Sequence, residues 1–217
     1  MESKEKTVLF QGDSITDAGR PREQGASALG QGYVNFIAGK LGFELADTRH
    51  RFVNRGISGN RVSDLYARWN EDAIYLKPDI ISILIGVNDV WRIMHKLPEG
   101  ASDRFERAYR HLLDETREVL PNTGLILCEP FILQAGIAVE GWEEWRGHLD
   151  GYRRIVAKLA EQYDAVFVGL QEQFDQAALR RDPAYWLNDG VHPTAAGHEL
   201  IAREWIRAVQ SSRLALS

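Results

Sequence analysis

Short apolar runs alternate with longer amphipathic segments along the whole chain, and this alternation constrains the fold more than any other feature. The runs that have the length and composition of buried strands are residues 7–10, 51–54, 79–86, 124–128 and 165–168. The third run is apolar on both faces, which is typical of a central strand in a parallel sheet. The segments between the runs carry apolar residues at helical spacing. This pattern predicts an α/β protein with a five-stranded parallel sheet, helices on both faces, and residues 1–217 as a single domain.

Charge and composition limit the classes of partner. The chain of 217 residues has a formal net charge of -5, and its basic residues are scattered. Nucleic acids and anionic membranes both require a basic face, so neither is expected as a partner. Residues 1–6 lead directly into the first run without an apolar signal core, and no stretch is long enough to span a bilayer. With the single cysteine, Cys128, these features predict a cytoplasmic protein in which Cys128 is a core residue.

Polar clusters lie at strand ends or in loops that should share one rim of the sheet. They are Gly12-Asp13-Ser14, Gly59-Asn60, Asn88-Asp89 and Asp189-x-x-His192. Right-handed crossovers place the carboxyl ends of all parallel strands on one edge. Clusters that are far apart in sequence are therefore expected to meet in space, where open α/β sheets bind their ligands.

The side chains in these clusters match the parts of a nucleophilic hydrolase. A serine hydroxyl attacks when a base removes its proton, and a carboxylate orients that base. Ser14, His192 and Asp189 supply these three roles. The oxyanion of the intermediate requires fixed donors, which the backbone N–H groups of Ser14 and Gly59 and the amide of Asn88 can supply. Each residue taken alone also fits a turn or a helix cap.

Four of these segments resemble sequence blocks of one enzyme family, the GDSL-type SGNH hydrolases. The blocks are Gly12-Asp13-Ser14-Ile15, Gly56-Ile57-Ser58-Gly59-Asn60, Gly86-Val87-Asn88-Asp89 and Asp189-Gly190-Val191-His192-Pro193. They occur in the order of the family and span nearly the whole chain, and the only departure is an isoleucine where leucine is common, at Ile15. The resemblance implies a flavodoxin-like three-layer α/β/α sandwich and a serine esterase without a metal or cofactor. It also implies the roles already given for the five residues above.

A narrower resemblance points to a substrate. The sequences at 56–60 and 88–92 are similar to those of the bacterial acetylxylan esterase branch, which removes acetyl groups from xylo-oligosaccharides. The residues then expected to contact the substrate are Asp13, Trp91, Arg92 and Trp186. Aromatic rings can stack on sugar rings, and a guanidinium can donate hydrogen bonds to hydroxyls. The tryptophans could equally pack in the core or at a subunit interface.

The sequence was also tested for another nucleophile, a phosphate site, a metal site and other functions. Ser58 lacks the second glycine of a G-x-S-x-G elbow, and it is interpreted as a supporting hydroxyl rather than the nucleophile. The turn after the first strand has no glycine-rich cradle or lysine for a phosphate. A metal held by Asp13, Asp17, Asp89 and Asp189 is disfavoured, because the histidines lack ligand spacing and His198 is expected to face outward or cap the last helix. A lipase or thioesterase acting on longer acyl chains, and a non-catalytic carbohydrate-binding module, are the alternatives.

Three long connections are expected to shape the pocket. They are predicted to be loops at residues 18–32, 90–101 and 131–145. The last carries apolar residues that look exposed in sequence, among them Ile132, Leu133 and Trp142. Such a patch suggests a lid or a contact in a homo-oligomer.

Overall fold

The computed structural model describes residues 5–217, except for the side chains at positions 22, 26 and 27. Its centre is one parallel sheet. The strands are β1 (Thr7–Gly12), β2 (Arg51–Asn54), β3 (Ile80–Leu84), β4 (Gly124–Cys128) and β5 (Val166–Val168). Their spatial order is β2-β1-β3-β4-β5, and all neighbours are parallel. The prediction of a five-stranded parallel sheet is confirmed, and the order is that of flavodoxin-like folds.

Helices connect the strands and cover the sheet. The α-helices are α1 (Ser14–Asp17), α2 (Tyr33–Glu44), α3 (Val62–Ala67), α4 (Trp69–Asp72), α5 (Val87–Met94), α6 (Ser102–Val119), α7 (Trp142–Gln162), α8 (Gln171–Ala178), α9 (Pro183–Trp186) and α10 (Ala195–Gln210). Short 3₁₀ turns lie at Arg22–Ser27, Ala46–Thr48, Ile74–Leu76, Pro98–Gly100 and Gly136–Ala138. Helices α2 and α10 pack together, whereas α6 packs on both α3 and α7. The sheet thus lies between two helical layers.

The strand order places a reversal between β1 and β3, which are neighbours in the sheet. Successive crossovers leave these two strands in opposite directions, and a crevice opens at their carboxyl ends. Ser14 is the second residue after β1, and Asn88 lies in the first turn of the helix that follows β3. The topology alone therefore brings the first and third polar clusters to the crevice.

The core is apolar but includes one small polar network. The indole N–H of Trp205 donates to the hydroxyl of Ser82 at 2.9 Å, and the Ser82 hydroxyl lies 3.7 Å from Sγ of Cys128. All three side chains are buried. Burial raises the pKa of the Cys128 thiol to about 12, so it stays protonated and unreactive at neutral pH. The prediction that Cys128 is a core residue is confirmed.

The predicted loop at 90–101 is wrong at its beginning, because α5 occupies Val87–Met94. Gly86 has a φ of 135°, which lets the chain turn sharply from β3 into a helix. Val87 and Val90 then point inward from the first turn and are buried. Because Asn and Asp are common in loops, the sequence at 88–89 did not indicate that a helix begins at Val87, shortly after the end of β3.

Two further predictions about secondary structure are corrected. Apolar residues at helical spacing from Val62 to Leu76 predict one helix, but the chain leaves helical geometry at Arg68, with φ -119° and ψ 13°. The connection at 131–145 is not an exposed apolar loop throughout. Ile132 and Leu133 are buried in the core, and Trp142 is the first residue of α7. Ile137 and Val139 are the exposed apolar residues of this connection.

His198 also differs from expectation. It is buried near the beginning of α10, where its Nδ1 accepts a hydrogen bond from the backbone N–H of Tyr33 at 3.2 Å and its ring stacks on that of Tyr33. Thr194 caps the same helix, with its hydroxyl accepting a hydrogen bond from the backbone N–H of Gly197. His198 therefore joins α10 to α2 rather than facing solvent.

The structure bears only in part on the expectations about a signal core and about membrane-spanning stretches. Residues 1–4, part of the segment predicted to lack a signal core, lie outside the described residues. Within residues 5–217, none of the helices combines the length and apolar character required to cross a bilayer.

Candidate active site

Ser14 lies at the end of β1 because three local features hold the chain there. Asp13 is buried, and its carboxylate accepts a hydrogen bond from the backbone N–H of Ile15 at 3.0 Å, which caps α1. Gly12 is packed so closely that a Cβ would lie 2.4 Å from the carbonyl oxygen of Leu84 on β3. The strand and the following turn are therefore fixed, and the Ser14 hydroxyl is half-buried at the edge of the sheet.

His192 and Asp189 extend from Ser14 as a chain of hydrogen bonds. Oγ of Ser14 lies 2.9 Å from Nε2 of His192, and Nδ1 of His192 lies 2.7 Å from Oδ2 of Asp189. The tautomer protonated on Nδ1 satisfies both contacts, since Nδ1 donates to the carboxylate and Nε2 accepts from the hydroxyl. The arrangement can remove a proton from the hydroxyl.

The Asp189 carboxylate is kept ionised by its neighbours. Partial burial pushes its pKa upward, but hydrogen bonds from the backbone and ring of His192 and from the backbone of Val191 outweigh this effect, so the pKa lies below its ordinary value. Those two backbone bonds to Oδ1 measure 2.8 Å and 3.0 Å. An ionised carboxylate is the form that orients the imidazole and stabilises its charged state.

The turn that carries these residues is held by a neighbouring segment that sequence reasoning did not connect with it. The backbone N–H of Leu133 donates to the carbonyl of Gly190 at 2.9 Å, and that of Ile137 donates to the carbonyl of Asp189 at 3.0 Å. Gly190 has a φ of 90°, and a Cβ there would lie 2.3 Å from the carbonyl oxygen of Ala135. Backbone pairing of this kind leaves no sequence signal beyond the glycine.

Gly59 and Asn88 lie beside one another at the mouth of the same crevice. The side-chain amide of Asn88 donates to the carbonyl of Asn60 at 3.0 Å. An asparagine amide has two N–H donors, so one remains for a ligand. Gly59 is exposed, with a φ of 80° and open space where a Cβ would lie. Its backbone N–H can therefore be approached closely by a substrate.

Buried polar residues hold the Gly59 segment. Asp17 accepts from the backbone N–H of Ser58 at 3.0 Å, Arg20 donates to the carbonyl of Gly56 at 3.0 Å, and Asn54 accepts from the Gly56 N–H at 2.8 Å. Ser58 is exposed, and Ser14 rather than Ser58 contacts His192. Sequence reasoning missed Asp17, Arg20 and Asn54 as supports, because polar residues near strand ends are usually assigned to the surface.

A cavity of about 260 Å³ opens next to these groups. Its lining consists of Gly59, Val87, Asn88, Trp91, Arg92, Ile137, Trp145, Val191 and His192. Trp91 and Arg92 are therefore brought to the site as the sequence suggested, whereas Trp145 was missed as a lining residue. The Trp91 ring is 37 % exposed, stacks on His95 with centroids 3.8 Å apart, and has the Arg92 guanidinium 5.3 Å from its centroid.

The structure does not bring Trp186 to this cavity. Trp186 instead lines a separate groove of about 570 Å³ formed with residues of α8 and α10. Asp13 lies next to Ser14, but its side chain is buried and bound to the chain itself. Desolvation raises the pKa of Asp13 to about 7.

The aspartates considered as metal ligands are used separately by the fold. Asp13 accepts from Ile15, Asp17 from Ser58, and Asp89 from the backbone N–H of Val62 at 3.3 Å. Asp189 is bound to His192. In the part of the chain that the structure describes, no three His, Cys, Asp or Glu side chains are grouped so that they could hold a metal ion.

Comparison with known proteins identifies the family. Residues 10–200 match the GDSL-like lipase/acylhydrolase family. The chain is 42% identical over 212 residues to an acetylxylan esterase of Geobacillus stearothermophilus, with 93% of each chain covered. The protein therefore belongs to the GDSL-like lipase/acylhydrolase family, and it is a carboxylic ester hydrolase.

Solved structures agree in fold. A structure described as a GDSL-like lipase from Parabacteroides merdae superposes with a TM-score of 0.91 at 41% identity, covering 98% of this chain and 99% of the other. A crystal structure of an acetylxylan esterase from Geobacillus stearothermophilus gives a TM-score of 0.83 at 39% identity, with 96% of each chain covered. The sequence-based assignment to the SGNH-type family and its α/β fold is confirmed.

Proposed function

We propose that this esterase removes acetyl groups from xylo-oligosaccharides through a triad of Ser14, His192 and Asp189. The observation that carries the mechanism is the unbroken path from the Ser14 hydroxyl through the His192 ring to the Asp189 carboxylate, with contacts of 2.9 Å and 2.7 Å. Removal of the hydroxyl proton along this path makes serine nucleophilic. The relatives supply the substrate class, since a relative that matches along almost the whole chain is an acetylxylan esterase.

The reaction has two halves. Oγ of Ser14 attacks the acetyl carbonyl carbon while Nε2 of His192 takes the hydroxyl proton. The tetrahedral intermediate collapses, the C–O bond to the sugar breaks, and His192 gives its proton to the departing sugar oxygen. Water then attacks the acetyl-serine with the same base, and acetic acid leaves. Asp189 stabilises the imidazolium in each half.

The oxyanion forms on the carbonyl oxygen in each half. Backbone N–H groups of Ser14 and Gly59 and the remaining N–H of Asn88 are the donors in this proposal. Donors that are already in place cost no reorganisation when charge develops, which is why such groups accelerate acyl transfer. The open space around Gly59 supports this role, because nothing within 4 Å obstructs the position of a Cβ.

The cavity supports a short acyl group attached to a sugar. Its wall combines apolar side chains with the partly exposed ring of Trp91 and the guanidinium of Arg92. A ring of this kind can cover the apolar face of a pyranose, and Arg92 can donate to its hydroxyls. In this proposal the acetyl group lies towards Asn88 and His192, and the sugar lies against Trp91.

Two experiments test the proposal. Incubation with a fluorophosphonate should add one phosphonyl group per chain, located on Ser14 by peptide mass spectrometry, and no adduct should form in Ser14→Ala. Acetylated xylo-oligosaccharides should lose successive acetyl masses when treated with the wild type. An adduct on another residue would overturn the assigned nucleophile, and release of longer acyl groups in preference to acetyl would overturn the substrate.

A further inference from the structure

Two consecutive residues at the start of α5 hold the segment that follows Gly59. The Asn88 amide donates to the carbonyl of Asn60 at 3.0 Å, and the Asp89 carboxyl accepts from the backbone N–H of Val62 at 3.3 Å. Asn60 directly follows Gly59, and Val62 is the first residue of α3. The first helical N–H groups have no partner inside their helix, so the Val62 N–H is free to bind the carboxyl.

The charge of Arg61 lowers the pKa of the Asp89 carboxyl, but the Arg61 guanidinium forms its hydrogen bonds with a different carboxylate. The Asp89 side chain is 2 % exposed, and the nearby guanidinium of Arg61 is bound to both oxygens of Asp64 at 2.9 Å and 3.0 Å. Desolvation raises the pKa of Asp89 to about 8, and the carboxyl of Asp13 acts in the same direction. The raised pKa favours the neutral acid, and the contact that the structure shows for this carboxyl is the hydrogen bond that it accepts from the Val62 N–H.

This position links the two sides of the crevice. Asn88 lies in the first turn of α5, which follows β3, and Gly59 belongs to the connection between β2 and α3. The Asn88 amide uses one N–H for the carbonyl of Asn60 and keeps the other for the oxyanion, so this side chain joins the two segments by a single hydrogen bond. The hydrogen bond from the Val62 N–H to the Asp89 carboxyl is a second attachment, one residue beyond Asn88 and two residues beyond Asn60.

We propose that Asp89 is a positioning residue that fixes the start of α3 to the start of α5, and so sets the distance between the Gly59 N–H and the Asn88 amide. The inference rests on the proposed function, because these two groups matter only if they bind the oxyanion. It assigns Asp89 no contact with the substrate.

The expected defect has a specific kinetic form. An oxyanion exists only in the transition state and intermediate, so a displaced donor lowers kcat and leaves KM nearly unchanged. Loss of a whole oxyanion donor costs about 10²–10³ in kcat. A donor that is displaced but still present should cost less, about 10–100-fold, on the same scale.

Four variants separate acceptor, charge and packing. Asp89→Asn keeps an acceptor oxygen of the same size, whereas Asp89→Ala removes it. Val62→Pro removes the donor from the other side, and its matched control Val62→Ala keeps the N–H. Proline is favoured at the first position of a helix, and the extended backbone of Arg61, with φ -101° and ψ 173°, suits a residue before proline.

The measurement is kcat and KM for p-nitrophenyl acetate, with thermal unfolding as the check of folding. We expect Asp89→Asn and Val62→Ala to keep kcat within about threefold of the wild type, while Asp89→Ala and Val62→Pro lower it by about 10–100-fold with KM changed less than about threefold. Because the two sides of the bond are tested separately, one variant that fails to fold leaves the other to decide.

The outcomes that overturn the inference are equally specific. They are full kcat in a folded Asp89→Ala or Val62→Pro variant, a loss in Asp89→Asn as large as in Asp89→Ala, or a change confined to KM. Ser14→Ala is measured in parallel. If Ser14→Ala is as active as the wild type, the proposed function itself fails, whereas an inactive Ser14→Ala beside an active Asp89→Ala removes only the role of Asp89.

Discussion

The hydroxyl of Ser14 and Nε2 of His192 lie 2.9 Å apart although 178 positions separate the two residues in the chain. Ser14 is held by the first strand of the sheet and His192 by a turn before the last helix. The hydrogen bonds that Asp189 makes to the His192 ring and backbone fix the orientation of the imidazole. The relationship places a base beside a hydroxyl at the carboxyl edge of the sheet.

Removal of the base tests this relationship. His192→Ala should lower kcat for p-nitrophenyl acetate by about 10⁴-fold or more, and Asp189→Asn by about 10⁴-fold, because the first variant has no base and the second favours the wrong tautomer. The matched control is His148→Ala, a histidine on the outer surface of α7. Turnover by His192→Ala at the rate of the control would contradict the assignment.

His198 makes folding stability depend on pH. Burial, and secondarily the charge of His192, lowers the pKa of His198 from 6.5 to about 4. Below pH 6.5 the unfolded chain binds a proton that the folded chain does not, so the stability contributed by neutral His198 is present above pH 6.5 and is lost as pH falls towards 4. His198→Asn retains an acceptor for the Tyr33 N–H without this titration.

The comparison is made by denaturant unfolding at pH 7 and pH 4.5. Between these values the wild type should lose about 1–3 kcal/mol more of its free energy of unfolding than His198→Asn does. The exposed His95→Asn serves as the control and should follow the wild type. An equal loss in the wild type and His198→Asn would show that His198 is not held neutral.

Gly56 tests how closely the Gly59 segment must pack. A Cβ at Gly56 would lie 2.4 Å from the backbone nitrogen of Asp17. Gly56→Ala should therefore destabilise the protein by about 1–3 kcal/mol, because backbone atoms would have to move apart. The matched control, Gly147→Ala in α7, meets nothing within 4 Å and should stabilise by about 0.5–1 kcal/mol. Equal melting temperatures for the two variants would contradict the packing argument.

Trp91 and Trp186 provide a test of sugar recognition. Trp91→Ala should raise KM for acetylated xylo-oligosaccharides by about 3–10-fold, the effect of about 1 kcal/mol of lost aromatic contact, with a smaller change for p-nitrophenyl acetate. Trp186→Phe changes a residue of the separate groove and should leave KM unchanged for both substrates. If Trp186→Phe gave the larger effect, the sugar would have to lie in that groove, as the sequence alone allowed.

The sequence was sufficient where a physical rule acts over the whole chain. Alternating apolar runs determine the parallel sheet, and the shared edge of parallel strands brings Ser14 and Asn88 to one crevice. These two residues could be predicted because each is polar shortly after an apolar strand stops, whereas His192 was predicted from a polar loop before the last helix. The alternation does not determine the strand order, since several right-handed orders satisfy it; only the resemblance to a flavodoxin-like family implied the order.

The sequence was insufficient where backbone geometry or burial decides. The residue types at 133–137 do not indicate that backbone N–H groups in this segment donate to the carbonyls of Asp189 and Gly190. Asp89 and His198 are polar residues that the fold buries, and a sequence without structural context places such residues on the surface. Trp91 and Trp186 looked equivalent as aromatic residues near polar motifs, and only the path of the chain separates them.

The most direct measurement of the central claim is the hydrolysis of p-nitrophenyl esters, from acetyl to octanoyl, by the wild type and by Ser14→Ala. The claim predicts highest kcat/KM on the acetyl ester for the wild type and a fall of about 10⁴-fold or more in the folded variant, which keeps the base but has no nucleophile. Equal rates in the two proteins would mean that Ser14 is not the nucleophile.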